Sequence, residues 1–514
     1  MKHSTLKSLI LATPVLFMAA PAFAAAPAAG AGCEKLLALT IPNVTVTAAG
    51  YVPASGFIAP GQQAPLDLPA FCRVQAVATP TSDSEIRFEV WIPPAAAWNG
   101  KFQGVGTGGY DGSISYPALA TALKRGYAVT SNDLGHTGGD LEFGRGHPEK
   151  VIDWGYRAMH VTAEAGKLIV RNNTGRWPEY SYFVGCSTGG HQALSEAQRY
   201  PNDYDGIVAG DPGYDRVHQT ASYIWHWAAL HDEKGAPLVN HAKLQSVTKA
   251  AIASCDKLDG VEDGVIDDPR RCKFDPASLA CSGAETDSCL TPAQADGIKK
   301  VYAGPKNPRT GKSIFPGFSM GSEGYGNAGW NGFIVQPKTP MRNEVFKYFL
   351  FNDSSWDWRN FDFDKDVAYA DKKLAHMAAV DTNLSAFRDR GGKMIMYTGW
   401  ADPVAAPEDV LKYYEGAVKS MGGLEKTQTF YRFFMAPGMG HCGGGYGPDT
   451  FDMVTALEQW VEKGVAPKSV IATKSVNNAV TRSRPLCPYP QVARWTGKGS
   501  TDDAANFVCK AAER

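Results

Sequence analysis

The sequence predicts an α/β fold, a mainly parallel sheet with helices on both faces, interrupted by one large insertion. Three observations predict it. Strand-like and helix-like runs alternate between residues 71 and 210, as they do where crossover helices wrap a parallel sheet. The step Gly185-Cys186-Ser187-Thr188-Gly189 joins an apolar run to a helix-like one, the form of a nucleophile elbow. Two later apolar runs each end in a turn, and those turns carry Asp402 and His441.

Size and charge narrow the class. The chain has 514 residues, 44% hydrophobic and 20% charged, a globular composition long enough for more than one domain. A formal net charge of -1 gives no basic surface for nucleic acid or an anionic membrane. Lys2, His3 and Lys7 precede an apolar run from Leu9 to Ala20, and Ala22-Phe23-Ala24 is a small-x-small site. Residues 1–24 therefore read as a signal peptide, because the run is too short to span a bilayer comfortably. The expected address is secreted or periplasmic. Ten cysteines, an even number, suit that oxidising setting. No Cys-x-x-Cys pair is present, which disfavours zinc.

The elements then follow in order. Residues 25–213 form the first part of the core, and its opening stretch to about residue 66 is rich in Ala, Pro and Gly and reads as an irregular surface wrap. Phe71–Val77 and Glu85–Ile92 alternate as half-buried strands do. Lys101–Val105 leads into Gly106-Thr107-Gly108-Gly109, which lacks the Lys-Ser/Thr of a phosphate loop. Tyr127–Thr130 is a further strand, and Ala158–Arg171 has apolar residues at helical spacing. After the elbow, Gly206–Gly210 is the next buried strand. Residues 214–387 break the pattern and read as an inserted lid domain. Residues 388–514 resume it with strands Lys393–Tyr397 and Thr429–Phe434, a helix from about Met453 to Lys463, and a cysteine-closed tail.

A serine hydroxyl needs a positioned base to become a nucleophile. The order Ser187, Asp402, His441 is that of hydrolases built on this elbow. His441 would take the serine proton, and Asp402 would hold the imidazole and its charge. The oxyanion donors would be the backbone N–H of Thr188 and one from the loop near Gly108. Taken singly, Asp402-Pro403 is also a plain turn and His441 a residue of a glycine-rich loop; their joint placement at strand ends favours the triad. Cys186 precedes the serine and Cys442 follows the histidine. If Ser187 and His441 meet, a Cys186–Cys442 disulfide would tie the two loops; the alternative is two buried thiols, which an oxidising compartment disfavours.

Gly185-Cys186-Ser187-Thr188-Gly189-Gly190-His191, Gly399-Trp400-Ala401-Asp402 and Gly438-Met439-Gly440-His441-Cys442 together resemble the tannase and feruloyl esterase family, which also contains hydrolases of mono(2-hydroxyethyl) terephthalate. The resemblance runs over most of the mature chain, including Arg484–Pro490. It implies an α/β-hydrolase core, a lid, a disulfide between the catalytic loops and a structural calcium ion in the lid. The calcium ligands it implies are the side chains of Asp256, Asp259 and Asp263 and the carbonyls of Val261 and Val265, hard oxygens at short spacing. Without the family, this stretch would read as a plain acidic turn. Together with sequence proximity, the resemblance pairs Cys255 with Cys272, Cys281 with Cys289, Cys487 with Cys509 and Cys33 with Cys72.

The implied activity is carboxylic ester hydrolysis. The implied substrates are small esters of hydroxycinnamic or gallic acid, free or attached to plant polysaccharide or polyphenol. Terephthalate monoesters are the alternative, and a non-catalytic binding protein on the same scaffold is the rival class. Aromatic acyl groups need flat apolar walls, and Trp330 with Phe333 is the expected pair. Arg342 and Arg359 are available to read a second carboxylate, but nothing in the sequence places them in a pocket.

Overall fold

The structure is a computed structural model that describes residues 1, 32–325 and 329–512. The expected signal peptide lies outside the described residues. Nine strands form one sheet: β1 (Val44–Val52), β2 (Phe71–Ala78), β3 (Ile86–Ile92), β4 (Lys101–Val105), β5 (Ala128–Asn132), β6 (Tyr180–Cys186), β7 (Gly206–Gly210), β8 (Lys393–Gly399) and β9 (Tyr431–Ala436). Their order is β1-β2-β3-β5-β4-β6-β7-β8-β9. The first three and the β3–β5 pairing are antiparallel, and every pairing from β5 to β9 is parallel.

Neighbouring residues on the central strands enter different cores. Phe183, Ile207, Met394, Met396 and Phe433 pack into one buried cluster. Tyr182, Val208, Ile395 and Phe434 pack into another. A period of two on strands covered by helices explains both clusters and why these runs read as continuously apolar. The helix Ala158–Thr174 ends at Gly175, whose left-handed φ of 78° closes it.

Three expectations change. The surface wrap before residue 66 contains β1, whose Val44-Thr45-Val46-Thr47 start pairs with β2. Its Ala-Ala-Gly centre hid the alternation. The tail forms two hairpins, β10 (Val470–Val476) with β11 (Ala479–Leu486) and β12 (Gln491–Trp495) with β13 (Phe507–Ala511).

The insertion expected at 214–387 does not pack as one body. A core of its own runs from Ala229 to Val335. Val345, Phe346, Phe349, Leu350, Leu374, Met377 and Phe387 are instead buried in the main core. Five disulfides form, Cys33–Cys72, Cys186–Cys442, Cys255–Cys272, Cys281–Cys289 and Cys487–Cys509.

Candidate active site

Ser187 stands between β6 and the helix Thr188–Arg199. Its φ of 63° and ψ of -116° are the strained backbone of an elbow. The glycines around it are needed for closeness: a Cβ on Gly185 would stand 2.5 Å from the Gly189 carbonyl carbon. The Ser187 N–H donates to the Gly210 carbonyl at 3.0 Å, which ties the elbow to β7.

The loop after β4 is fastened to this elbow from both sides. Gly189 N–H donates to the Thr107 carbonyl at 2.8 Å, and Thr107 N–H donates to Gln192 Oε1 at 3.1 Å. Thr188 Oγ1–H donates to the Gly109 carbonyl at 2.7 Å and accepts from Arg216 Nη2–H at 3.0 Å. Gly108 is exposed, with open space on its Cβ side. Among the described residues, the N–H groups of Thr188 and Gly108 donate no hydrogen bond.

Asp402 and His441 meet as the sequence order requires. Fully buried Asp402 accepts at Oδ1 from the N–H groups of Val404 at 2.7 Å and Ala405 at 3.0 Å. Its Oδ2 lies 2.7 Å from His441 Nδ1. Two donors on one oxygen favour the carboxylate, so Nδ1 carries the proton toward it and Nε2 is left to accept. Burial opposes charge on His441, but Asp402 and a second acid, Asp211, outweigh it and hold the imidazole above its ordinary pKa.

The Cys186–Cys442 disulfide, with Cα atoms 5.9 Å apart, brings the neighbouring Ser187 and His441 loops together. Among the described residues, Ser187 Oγ makes no hydrogen bond with His441. Such contacts often tighten only when substrate is bound.

Trp330 is not a pocket wall. It is fully buried in the lid core, its indole N–H donates to Ser322 Oγ at 3.0 Å, and its ring packs on Tyr302 and Phe318. A Gly-flanked Trp reads the same whether it fills a core or lines a cleft. Phe333 is half-buried against that same core.

Two tyrosines that the sequence did not single out lie beside the site. Buried Tyr110, directly after Gly108-Gly109, stacks on Trp154 at 4.2 Å. Tyr223 O–H donates to the Val404 carbonyl at 3.1 Å. Arg342 lies over both rings, 5.4 Å from Tyr110 and 5.9 Å from Tyr223. A methyl group built on Gly109 would stand 3.6 Å from Arg342 Nη2. Arg342 has no acidic partner among the described residues.

The acidic loop brings carboxylates and backbone groups together. Asp256 accepts from the N–H groups of Asp263, Gly264 and Val265. Asp263 pairs with Arg484. The Val261 and Val265 carbonyls accept no hydrogen bond among the described residues. Burial, then Asp263, push the Asp259 carboxyl up. Carboxylates beside unclaimed carbonyls are oxygen donors of the kind calcium takes, with Arg484 already supplying one positive charge at Asp263.

The sequence model of tannase and feruloyl esterase matches residues 72–510. The chain belongs to that family. This esterase is 43% identical to an uncharacterised esterase of Xanthomonas campestris pv. campestris, over 94% of this chain and 91% of that one. It is 34% identical to the mono(2-hydroxyethyl) terephthalate hydrolase of Piscinibacter sakaiensis, over 94% and 92%. Feruloyl esterase B from Aspergillus oryzae superposes with a TM-score of 0.88 at 30% identity, over 93% of this chain and 99% of that one. The protein is a carboxylic ester hydrolase of α/β-hydrolase fold. Among the described residues, no helix is long and apolar enough to cross a membrane.

Proposed function

We propose that this esterase is secreted or periplasmic and hydrolyses esters of hydroxycinnamic or gallic acid through an acyl-enzyme on Ser187. The observation that carries the reading is the Asp402–His441 hydrogen bond, with the residue after His441 disulfide-bonded to the residue before the elbow serine. Ser187 Oγ attacks the ester carbonyl while His441 Nε2 takes its proton. Charge develops on the carbonyl oxygen, where the N–H groups of Thr188 and Gly108 meet it. The imidazolium, stabilised by Asp402, returns the proton to the departing alkoxide, and the acyl group stays on Ser187. Water then gives a proton to His441 as it attacks the acyl-enzyme carbonyl, and His441 returns that proton to Ser187 Oγ as the C–O bond to the acyl group breaks, which releases the acid and the free serine. Bound aromatic esters, free or attached to plant polysaccharide or polyphenol, would lie toward Tyr110 and Tyr223.

Ser187→Ala is expected to lower kcat on methyl ferulate and methyl gallate by about 10⁴-fold or more, with the melting temperature kept. Wild-type turnover in that variant would overturn the reading.

A second reading has its own observation. Unpaired Arg342 beside Gly109 favours an acyl group with a second carboxylate, as in the monoesters named for the Piscinibacter relative. Turnover of ferulate, gallate and terephthalate monoesters, measured side by side, decides between them.

A calcium ion would be held by Asp256, Asp259 and Asp263 and by the Val261 and Val265 carbonyls. Bound there, it supplies positive charge that braces the lid loop and takes no part in the ester chemistry.

A further inference from the structure

Asp211 follows β7 in Gly210-Asp211-Pro212-Gly213, a stretch that reads from sequence only as a turn. Its side chain is fully buried and its φ is 36°, in the left-handed region that favours glycine. Oδ1 accepts from Thr398 Oγ1–H at 3.0 Å and from Gly399 N–H at 2.9 Å. Oδ2 accepts from Cys442 N–H at 3.1 Å and lies 3.5 Å from Cys186 Sγ. One carboxylate thus touches the ends of the segments that carry Ser187, Asp402 and His441. An oxygen of Asp211, an oxygen of Asp402 and a ring nitrogen of His441 lie within 4.8 Å of one another.

We propose that Asp211 is a positioning residue for the catalytic base: it locks the Asp402 and His441 turns to the elbow and gives the imidazolium a second counter-charge. The proposal rests on reading Ser187, Asp402 and His441 as the triad. A residue that only fills space would need the shape of Asp211 and not its charge. Yet the carboxylate has no Lys or Arg partner among the described residues, and its donors are neutral. The titratable groups facing it are Asp402, His441 and the Tyr397 phenol. Burial, and then Asp402, push the Asp211 carboxyl up to about 7, while His441 pulls it down. Asp211 therefore ionises most readily when His441 holds a proton, the state reached in the transition state. By linkage it raises the proton affinity of His441 in return, and the three groups titrate together.

The test is a kinetic cycle of Asp211→Asn, Asp402→Asn and the double variant on p-nitrophenyl acetate. Asn keeps the shape and removes a buried charge. Asp211→Asn is expected to lower kcat about ten-fold or more and change KM less than about threefold. The acid limb of kcat/KM should move to lower pH, because a negative charge beside His441 is gone. Asp402→Asn should keep activity that the double variant loses by about another ten-fold.

Asp211→Asn with wild-type kcat and an unmoved acid limb would overturn the proposal, as would a double variant equal to Asp402→Asn. Should Asp211→Asn not fold, Thr398→Val removes one donor and leaves the carboxylate. That pushes the Asp211 carboxyl further up, so less negative charge faces His441; the acid limb then moves to lower pH, and an unmoved limb counts against the proposal. Ser187→Ala separates the two readings: retained turnover there sinks the triad itself. An inactive Ser187→Ala beside a wild-type-like Asp211→Asn sinks only the role of Asp211.

Discussion

Two disulfide-stapled turns of this esterase gather buried acid and use it differently. At the crossing beside the elbow, Asp211 and Asp402 accept hydrogen bonds from backbone N–H groups and face one histidine. In the acidic loop, Asp256 accepts backbone N–H groups as well, but Asp263 is met by the Arg484 guanidinium from the tail. Neither acid of the first site forms an ion pair with a Lys or Arg among the described residues, and their negative charge is matched when His441 takes a proton. The second holds a permanent cation and has oxygens to spare for another. The staples differ as the charges do. Cys186–Cys442 joins residues 256 apart, whereas Cys255–Cys272 joins residues 17 apart. The long one sets a distance between two strand ends, and the short one shapes a loop.

The largest effect that would break this comparison is on the staples. Replacing Cys186 and Cys442 by Ala should lower kcat about 10²-fold, because a misplaced base is costly. Replacing Cys255 and Cys272 should change kcat less than about threefold and lower the melting temperature, since a closed loop of that size is worth about 3 kcal/mol. Equal losses of turnover in the two pairs would remove the distinction between a catalytic and a structural staple.

What could be read in advance followed the same division. The elbow was legible because strand, turn and helix are contiguous and the Gly-x-Ser-x-Gly step sits between them. Asp402 and His441 were legible as turn residues after apolar runs. Asp211 was not, because Gly-Asp-Pro-Gly is ordinary turn chemistry and its partners lie up to 231 residues away. Arg342 was available in the sequence but could not be placed, and Tyr110 was not singled out, for a similar reason: their meeting depends on the path of the insertion. Trp330 was misread because burial is decided by neighbours such as Tyr302 and Phe318, which no local pattern around the Trp encodes. β1 was missed because Ala and Gly interrupt the alternation that its ends show.

A smaller effect sharpens the charge side of the comparison. Arg342, beside Gly109, has no acidic partner among the described residues, and it lowers the proton affinity of His441. Arg342→Ala should cut kcat/KM for a monoester of an aromatic diacid about ten- to hundred-fold, the scale of a charge-assisted hydrogen bond. Methyl ferulate should be affected less than about threefold. An equal loss on both substrates would make Arg342 a general support of the cleft and not a reader of carboxylate.

The smallest effect belongs to the acidic loop, where a bound ion would add stability without chemistry. A metal that binds only the folded state stabilises it by about 2.7 kcal/mol at a hundred times its dissociation constant. In large domains that corresponds to a rise in melting temperature of about 2–4 °C per kcal/mol. Chelation should therefore lower the melting temperature by several degrees and leave kcat at 25 °C unchanged. Calcium should restore it and magnesium should do so poorly, because a loop offering carbonyls and carboxylates in irregular array suits the larger ion. Arg484→Met should enlarge the chelation effect, since Asp263 then depends on the metal alone for positive charge. Identical melting curves with and without chelator would mean that Arg484 suffices and the loop needs no ion. A loss of kcat on chelation at constant fold would mean that the two acid clusters are coupled, and the division between them would fail.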